Sequence, residues 1–399
     1  VNWSTLVLGD SLEVLIDNRG KNPEFSEHGV PAISGMYVGD GVLDLSSARR
    51  VSAEVWDKWM PNKTQKHDVV LTSEAPLGRV ALVPSDEPLT LAQRVFGLRG
   101  RAGVLDSRFL FYAFQTTRVR ADLQGRATGT TVLGIRQPAL LKVQIPAPSF
   151  EEQQAIAEVL GALDDKIAAN TKLAATLTGL LDAQFEQLGV NYEPEDDSQT
   201  VSLDELIELN PKVATPKEAE PVYVDMQKLP TAGMSISGWE RRPAKGGARF
   251  MNDDTLLARI TPCLENRKTG YVDFLPDGQA AIGSTEFIVM RSRPGIPKQL
   301  SYFLSTSERF RAYAIRHMVG SSGRQRVSAL DLAGYTVSKP DPEALARFGD
   351  ISTAHFKLLK SLTDENRTLA ATRDALLPQL MSGKLRVKDA EKVLENAGV

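Results

Sequence analysis

The chain of 399 residues is written twice, and this duplication limits what it can fold into more than any other feature. Ser11-Leu12 with Leu15-Ile16 recurs 191 positions later as Ser202-Leu203 with Leu206-Ile207. The run FLFYAFQTTRVRADL at 109–123 is answered by LSYFLSTSERFRAYA at 300–314, and Gly129-Thr130-Thr131 by Gly320-Ser321-Ser322. Asn170 with Leu173-Ala174-Ala175-Thr176 matches Asn366 with Leu369-Ala370-Ala371-Thr372, now 196 apart, five more than before, and the extra length falls inside a helix. Two copies of one domain are expected, not one large core.

Both copies share a grammar. Short β-rich runs bounded by Gly, Pro and Asn come first: VPAIS, DVVLT, RVALVP and QRVFGLR, then PVYVDM, TLLARI, GYVDFLP and EFIVMR. A helix follows in each, over about 106–123 and 298–318, then a Gly-rich polar loop and a last strand with a Pro-bounded exit. The expected class is α+β: two pseudo-repeated α/β units separated by two long helices that form an antiparallel coiled coil. The units span 1–149 and 202–342, the helices 150–187 and 343–385, with a linker at 188–201 and a polar tail at 386–399.

The helix expectation rests on apolar spacing. Ile156, Leu160, Leu163, Ile167, Asn170, Ala174, Leu177 and Leu181 alternate steps of four and three, the seam of a coiled coil. Phe348, Ile351, His355, Leu359, Leu362, Asn366, Leu369, Leu376 and Leu380 give a second seam, interrupted by Arg373. Each seam contains one Asn, a residue that fixes register at some cost in stability. If the helices pair antiparallel, about 35 residues at roughly 1.5 Å each would hold the two units on the order of 50 Å apart. Two base-reading units so held would meet DNA more than one turn, about 34–36 Å, apart.

The net charge of −3 argues against a nucleic-acid partner only until it is divided. Residues 1–149 carry 17 Lys and Arg against 15 Asp and Glu, residues 202–340 carry 19 against 15, and residues 150–201 hold 2 against 11. The repeats are mildly basic and the acidity sits in the connection, where NYEPEDDSQT reads as an exposed linker. One cysteine, Cys263, and four histidines leave no internal disulfide and no zinc cluster to expect. No run approaches the roughly 20 apolar residues of a membrane span, and the first residues lack a signal-peptide pattern, so a cytoplasmic protein is expected.

Candidate chemistry is thin. The chain has no Walker loop and no Asn/Asp-Pro-Pro-aromatic tetrad, since Asn210-Pro211-Lys212 lacks the second Pro and the ring. The nearest metal-nuclease pattern is Asp254 with Glu265 and Lys268, and the doublet Asp164-Asp165 reads as a solvated helix face. Basic residues beside Gly, Ser and Thr form the stronger set, because guanidinium forks suit phosphates and guanine edges. In the first copy they are Arg49, Arg50, Thr72, Ser73, Arg79, Arg126, Thr128, Thr130, Thr131 and Arg136. In the second they are Arg241, Arg242, Lys245, Arg249, Arg259, Arg267, Lys268, Arg316, Ser321, Ser322, Arg324, Gln325 and Arg326. These are the candidate DNA contacts; no catalytic residue and no metal ligand is assigned.

The run GTTVLGIRQPALLKVQIPAPSFEEQQAIAEVLGALDDKIAANTKL, with its Pro-rich strand and Glu152-Gln153, resembles the exit from a target-recognition domain in the specificity subunits of type I restriction-modification systems. GDSLEVLIDNRGK and DVVLTSEAPLGRVALV are similar to patterns of the same family. At the second helix start Ala344 to Phe348 stand where the family would place Glu-Gln. The resemblance implies a non-catalytic subunit with two target-recognition domains, each reading half of an interrupted double-stranded DNA site. It implies two methylase (modification) subunits carrying S-adenosylmethionine, and restriction subunits using ATP and Mg, with methylase contacts at 150–187 and 344–383; no cofactor is expected in this chain. The alternatives are a self-contained nuclease or fused restriction-modification fragment, and a coiled-coil interaction protein with no DNA role.

Overall fold

The protein is described by a computed structural model covering residues 3–20, 22–192, 199–236, 238–243, 246–321 and 323–397. The chain divides into two units, Val1–Ala168 with Arg367–Val399, and Ala169–Asn366. Of the expectations above, Lys245, Ser322 and the middle of the linker lie outside the described residues.

In the first unit, Leu12–Asp17, Val95–Gly100, Val69–Thr72 and Val80–Leu82 form a four-stranded antiparallel sheet in that order. Val69–Thr72 is buried along its whole length, as expected of an apolar β-branched strand covered on both faces. A second sheet orders Arg50–Val51, Val30–Ile33 and Thr90–Leu91, the last two parallel, and Ser4–Val7 pairs with the exit strand Gln144–Ala147.

The second unit reproduces this arrangement. Ile207–Leu209, Phe287–Ser292, Thr255–Ala258 and Thr269–Tyr271 form the four-stranded antiparallel sheet. Val222–Val224 again runs parallel to a short later strand, Ala281–Gly283, and Thr200–Ser202 pairs with Thr336–Ser338. The class is α+β, and the sequence repeat is a repeat of topology, including a parallel strand pairing in each unit.

Each central sheet carries one buried ion pair at the same place. Arg99 donates to both Asp68 oxygens at 2.8 and 2.7 Å, and Arg291 to both Asp254 oxygens at 2.6 and 2.7 Å. Asp68 is 2% exposed and Asp254 fully buried, so these bidentate pairs satisfy charges that would otherwise be stranded in the core. Asp254 is thus a structural carboxylate, not a metal ligand. Among the described residues no group of three or more His, Cys, Asp or Glu could hold a metal ion.

The single helix expected in each repeat is two. The first copy has Ser107–Ala113 and Thr117–Gly125, the second Leu300–Thr306 and Glu308–Arg316. Thr116 and Ser307 adopt extended backbone and accept from the amides of Val119 and Phe310, so a capping hydroxyl inside an apolar run restarts the helix.

The long helices are Phe150–Gln187 and Pro342–Leu380. In the first unit Ile156, Leu160 and Leu163 are buried in one core with Leu369, Leu376 and Leu380, against Phe109 and Tyr112, and Ile167 packs at its edge. Asp164 is not a solvated face: it accepts from Tyr112 Oη at 2.6 Å and pairs with Arg373 at 2.7 Å. The apparent break in the second seam is therefore a contact, and burial followed by the Asp164 charge pushes the Tyr112 phenol up. The tail is helical over Val387–Ala397 and buries Ala390 and Leu394 in the same core.

In the second unit Asn170 Nδ2 donates to Asn366 Oδ1 at 3.0 Å and to Glu365 at 2.8 Å. Phe185 meets Phe348 at a 6.3 Å ring separation, so the two helical segments of this unit run in opposite directions. Leu181, Phe348 and Leu359 are in its core, Leu177 packs against it, and Leu362 is buried. Ile351, however, is 37% exposed; Ser352 and Phe356 take the inward positions expected of Ile351 and His355.

Candidate nucleic-acid interface

Two turns in each repeat come together. The first joins the middle strand to its hairpin partner. Thr72 Oγ1 donates to Pro76 O at 2.6 Å and accepts from Arg79 N at 2.9 Å, which shapes the Ser73–Arg79 turn around a cis Ala75-Pro76 bond. The second repeat has a cis Thr261-Pro262 bond in the corresponding turn. Thr72 is fully buried with its hydroxyl occupied, so it builds the turn and cannot touch a ligand.

The Gly-rich loop lies against this turn. Thr128 and Gly134 exchange backbone hydrogen bonds at 2.8 and 2.9 Å, closing a small hairpin, and Ile135 N donates to Ser73 O at 2.9 Å. In the second copy Val319 and Arg326 exchange bonds at 2.9 Å, and Val327 N donates to Arg259 O at 3.0 Å. Gly129 has φ +119°, and a Cβ there would lie 2.1 Å from Val132 O; Gly320, at φ +134°, occupies the same place. The glycines are required by the turn, which accounts for their recurrence.

A polar cleft opens between the two turns of the first unit, and in the second a cleft of mixed lining borders only the start of the turn, at Arg259. The first, about 500 Å³, is lined by Ser73, Glu74, Gln93, Arg94, Thr128 and Arg136 among others. The second, about 670 Å³, is lined by Asn210, Lys212, Arg249, Arg259 and Thr285 among others. Arg136 and Arg249 are exposed, while Arg259 is half-buried with its Nε sequestered and lacking a hydrogen-bond partner. Arg19 braces the first cleft: it pairs with Asp17, donates to Ile135 O at 2.8 Å and lies 3.8 Å over the Phe96 ring.

Of the sequence-derived candidates, Ser73, Thr128 and Arg136 reach the first cleft and Arg249 and Arg259 the second. Thr130, Thr131, Ser321, Arg324 and Arg316 are exposed on or beside the Gly-rich hairpins, with Gln325 half-buried. Arg326 is held by Glu286 in a bidentate pair, which keeps the Glu286 carboxyl below its ordinary range. Others are occupied elsewhere. Arg126 pairs with Asp122, Arg267 with Glu308, and Lys268 donates to Met226 O. Arg49 lies 3.3 Å over the Phe25 ring and Arg50 donates to Gly29 O at 2.7 Å. Arg242 stacks on Tyr223, Arg241 contacts Glu220 O, and Arg79 is half-buried on its turn.

Gln93, Arg94, Lys212 and Thr285 are cleft residues that sequence reasoning missed. They stand in short segments between strands, and the available signal was the alignment of the copies, which sets Gln93-Arg94 against Thr285-Glu286 at an offset of 192. Gln153, in the run that resembles the family's domain exit, is 1% exposed. It accepts from Asp106 N at 3.0 Å and donates to Val104 O and Pro148 O, so it ties the helix start to its own domain and is closed to a partner. No helix among the described residues is long and apolar enough to cross a membrane.

Residues 40–178 match the family model described as the type I restriction modification DNA specificity domain. The chain is 26% identical over 349 residues to the type I restriction enzyme MjaIX specificity subunit of Methanocaldococcus jannaschii, covering 81% of this chain and 79% of that one. It is 29% identical over 176 residues to the MjaVIII specificity subunit of the same organism, spanning 43% of this chain and 41% of the relative. The type I restriction-modification S subunit of M. genitalium shares the fold, with a TM-score of 0.62 at 18% identity over 95% of this chain and 96% of that one. Duplicated fold, matching domain and relatives agree: residues 40–178 carry the type I specificity domain, and the chain is similar over most of its length to type I restriction-modification specificity subunits.

Proposed function

We propose that each repeat reads one half of an interrupted DNA sequence, and that the two long helices pair as an antiparallel coiled coil that sets the gap between the halves. The observation that carries this reading is the recurrence, in both units, of a Gly-rich hairpin hydrogen-bonded to the turn after the middle strand, through Ile135 N to Ser73 O and Val327 N to Arg259 O, with exposed Arg side chains near it. Opposed seam residues, Asn170 with Asn366, support the coiled coil. Exposed cations on hairpins that have backbone amides to spare suit phosphates and base edges.

The domains at 1–149 and 202–342 are the readers, and 150–187 and 343–385 the spacer. Modification subunits dock on the helices and supply S-adenosylmethionine and methyl transfer; restriction subunits supply ATP-driven cutting. The chain itself performs neither reaction, and it works in the cytoplasm beside the DNA. Mild basicity leaves much of the phosphate grip to the partners.

The test is a footprint and methylation map of the complex with modification subunits. Two short protected sequences separated by unread base pairs are expected; one continuous recognition sequence would sink the reading. Purified chain with magnesium and DNA is expected to leave it uncut and unmethylated. Arg324→Ala with Arg326→Ala is expected to weaken DNA binding by the assembled complex and to lower the slope of log K against log salt by roughly one to two. Intact binding and an unchanged slope would remove these residues from the interface.

A further inference from the structure

On the wall of the first cleft, Glu74 and Arg94 face each other as an ion pair at 3.1 Å, with side chains 43% and 56% exposed. Neither is consumed by the core, unlike Asp68 with Arg99 a few residues away. Arg94 also adopts a φ of +64°, a left-handed conformation uncommon for a side chain of its size. It is held there by Ser73 N, which donates to Arg94 O at 2.9 Å, while Gly35 N donates to the adjoining Gln93 O at 3.1 Å. A residue fixed in a sparsely populated conformation, in a cleft and not in the core, points to a position selected for what it presents.

We propose that Glu74 and Arg94 together read one G·C base pair in the half-sequence bound by the first domain. This rests on the DNA-reading function proposed above and names where that domain's specificity lies. In the major groove guanine presents O6 and N7 as two acceptors, which match the fork of an arginine, and cytosine presents the N4 amino group, which a carboxylate accepts. An Arg and a Glu a hydrogen bond apart carry both halves of that complement. Because they satisfy each other in the free protein, the cleft holds no stranded charge until DNA replaces each partner with a base edge. A wrong base pair offers no replacement for one or both of these partners, so the ion pair is kept and the base contacts are lost, which is how a site built on polar contacts discriminates.

The second domain supports this by difference. The position matching Arg94 is Glu286, and the one matching Glu74 is Ile260, which bridges Arg326 as Glu74 bridges Gly134. There the ion pair is Glu286 with Arg326 at 2.7 Å, so the signs are redistributed over the same framework. The exchange of charge falls in the clefted turns, while the buried pairs Asp68–Arg99 and Asp254–Arg291 are alike in both copies. The two halves of the target therefore differ at the base pair this position meets.

The experiment is methylation mapping with the full chain assembled with modification subunits, comparing the unaltered chain with Arg94→Lys, Arg94→Ala and Glu74→Gln. Arg94→Lys keeps the charge and loses the two-pronged fork. All three variants are expected to relax discrimination at one and the same G·C position of one half-sequence, by roughly 5- to 150-fold. The other half-sequence stays intact and serves as the internal check on folding and assembly. A uniform loss across all positions with a shallower salt slope would make Arg94 a phosphate contact and overturn the proposal. An unchanged motif, relaxation at different positions, or methylation lost altogether with Arg94→Lys would overturn it as well. If the unaltered chain itself yields no two-part motif, the DNA-reading function fails first, an outcome distinct from any of these.

Discussion

Replacing Asp254 with alanine is expected to destabilise the chain by about 3–5 kcal/mol, because the change strands the Arg291 guanidinium against a carboxylate-sized void. Asp254 is fully buried, accepts both prongs of Arg291 at 2.6 and 2.7 Å and also accepts from Met251 N at 2.8 Å. In a unit of this size each kcal/mol moves the midpoint of thermal unfolding by roughly 2–4 °C, so a fall of about 6–20 °C is predicted. The double variant Asp254→Leu with Arg291→Met is expected to recover much of that loss, since an apolar pair of similar volume removes both charges. Calorimetry on the full chain checks both. An unchanged midpoint for Asp254→Ala, accompanied by loss of a magnesium-dependent DNA cleavage, would restore this residue to the catalytic role the sequence pattern first suggested.

The second large effect is expected at Phe303. Its ring lies 5.5 Å from Phe185 on the first long helix, 5.4 Å from Phe348 and 5.8 Å from Phe356 on the second, and 5.4 Å from Tyr302 beside it. One side chain of the domain thus joins segments of both helices in a single aromatic cluster. Phe303→Ala would leave a cavity among rings that cannot collapse onto it and cost about 3–5 kcal/mol, whereas Phe303→Leu keeps most of the volume and costs less, about 1–2 kcal/mol. The expected readout is faster backbone hydrogen exchange over 170–187 and 342–362, with 107–125 unchanged. Unaltered exchange over the helical segments would mean that the cluster does not anchor them.

The parts of this molecule legible in its sequence are those set by short-range pattern. Val69–Thr72 and Thr255–Ala258 were visible as β-branched and aliphatic runs, the long helices as alternating steps of three and four, and the repeat as plain self-similarity. What escaped depends on partners far away in the chain. Asp164 looked solvated because Tyr112 and Arg373, its two partners, stand 52 and 209 positions away. Asp254 looked like a ligand because Arg291 lies 37 positions on. Thr116 and Ser307 were read as helix interior, although a hydroxyl that can cap a new first turn competes with continuation. Ser4–Val7 has no strand signal of its own, because its partner, Gln144–Ala147, arrives at the far end of the domain.

The candidate interface divides the same way. Gly129 and Gly320 were legible because only glycine fits the turn, and the Arg, Ser and Thr around them because of their type. The cleft residues Gln93 and Arg94 were not, since a short segment between strands becomes a wall only after Val95–Gly100 pairs on both sides. Several basic residues that composition brought forward prove to be committed to carboxylates or aromatic rings, so a count of cations overstates the surface available to DNA.

The central claim is that one chain reads two separated half-sequences whose spacing is set by its long helices. Insertion of four residues into each helix at matched points of the seam adds about 6 Å of rise, close to two base pairs at about 3.4 Å each. Methylation mapping of the complex assembled on this variant is predicted to recover both half-sequences unchanged, with the unread gap lengthened. An unchanged gap between the same half-sequences would contradict the account.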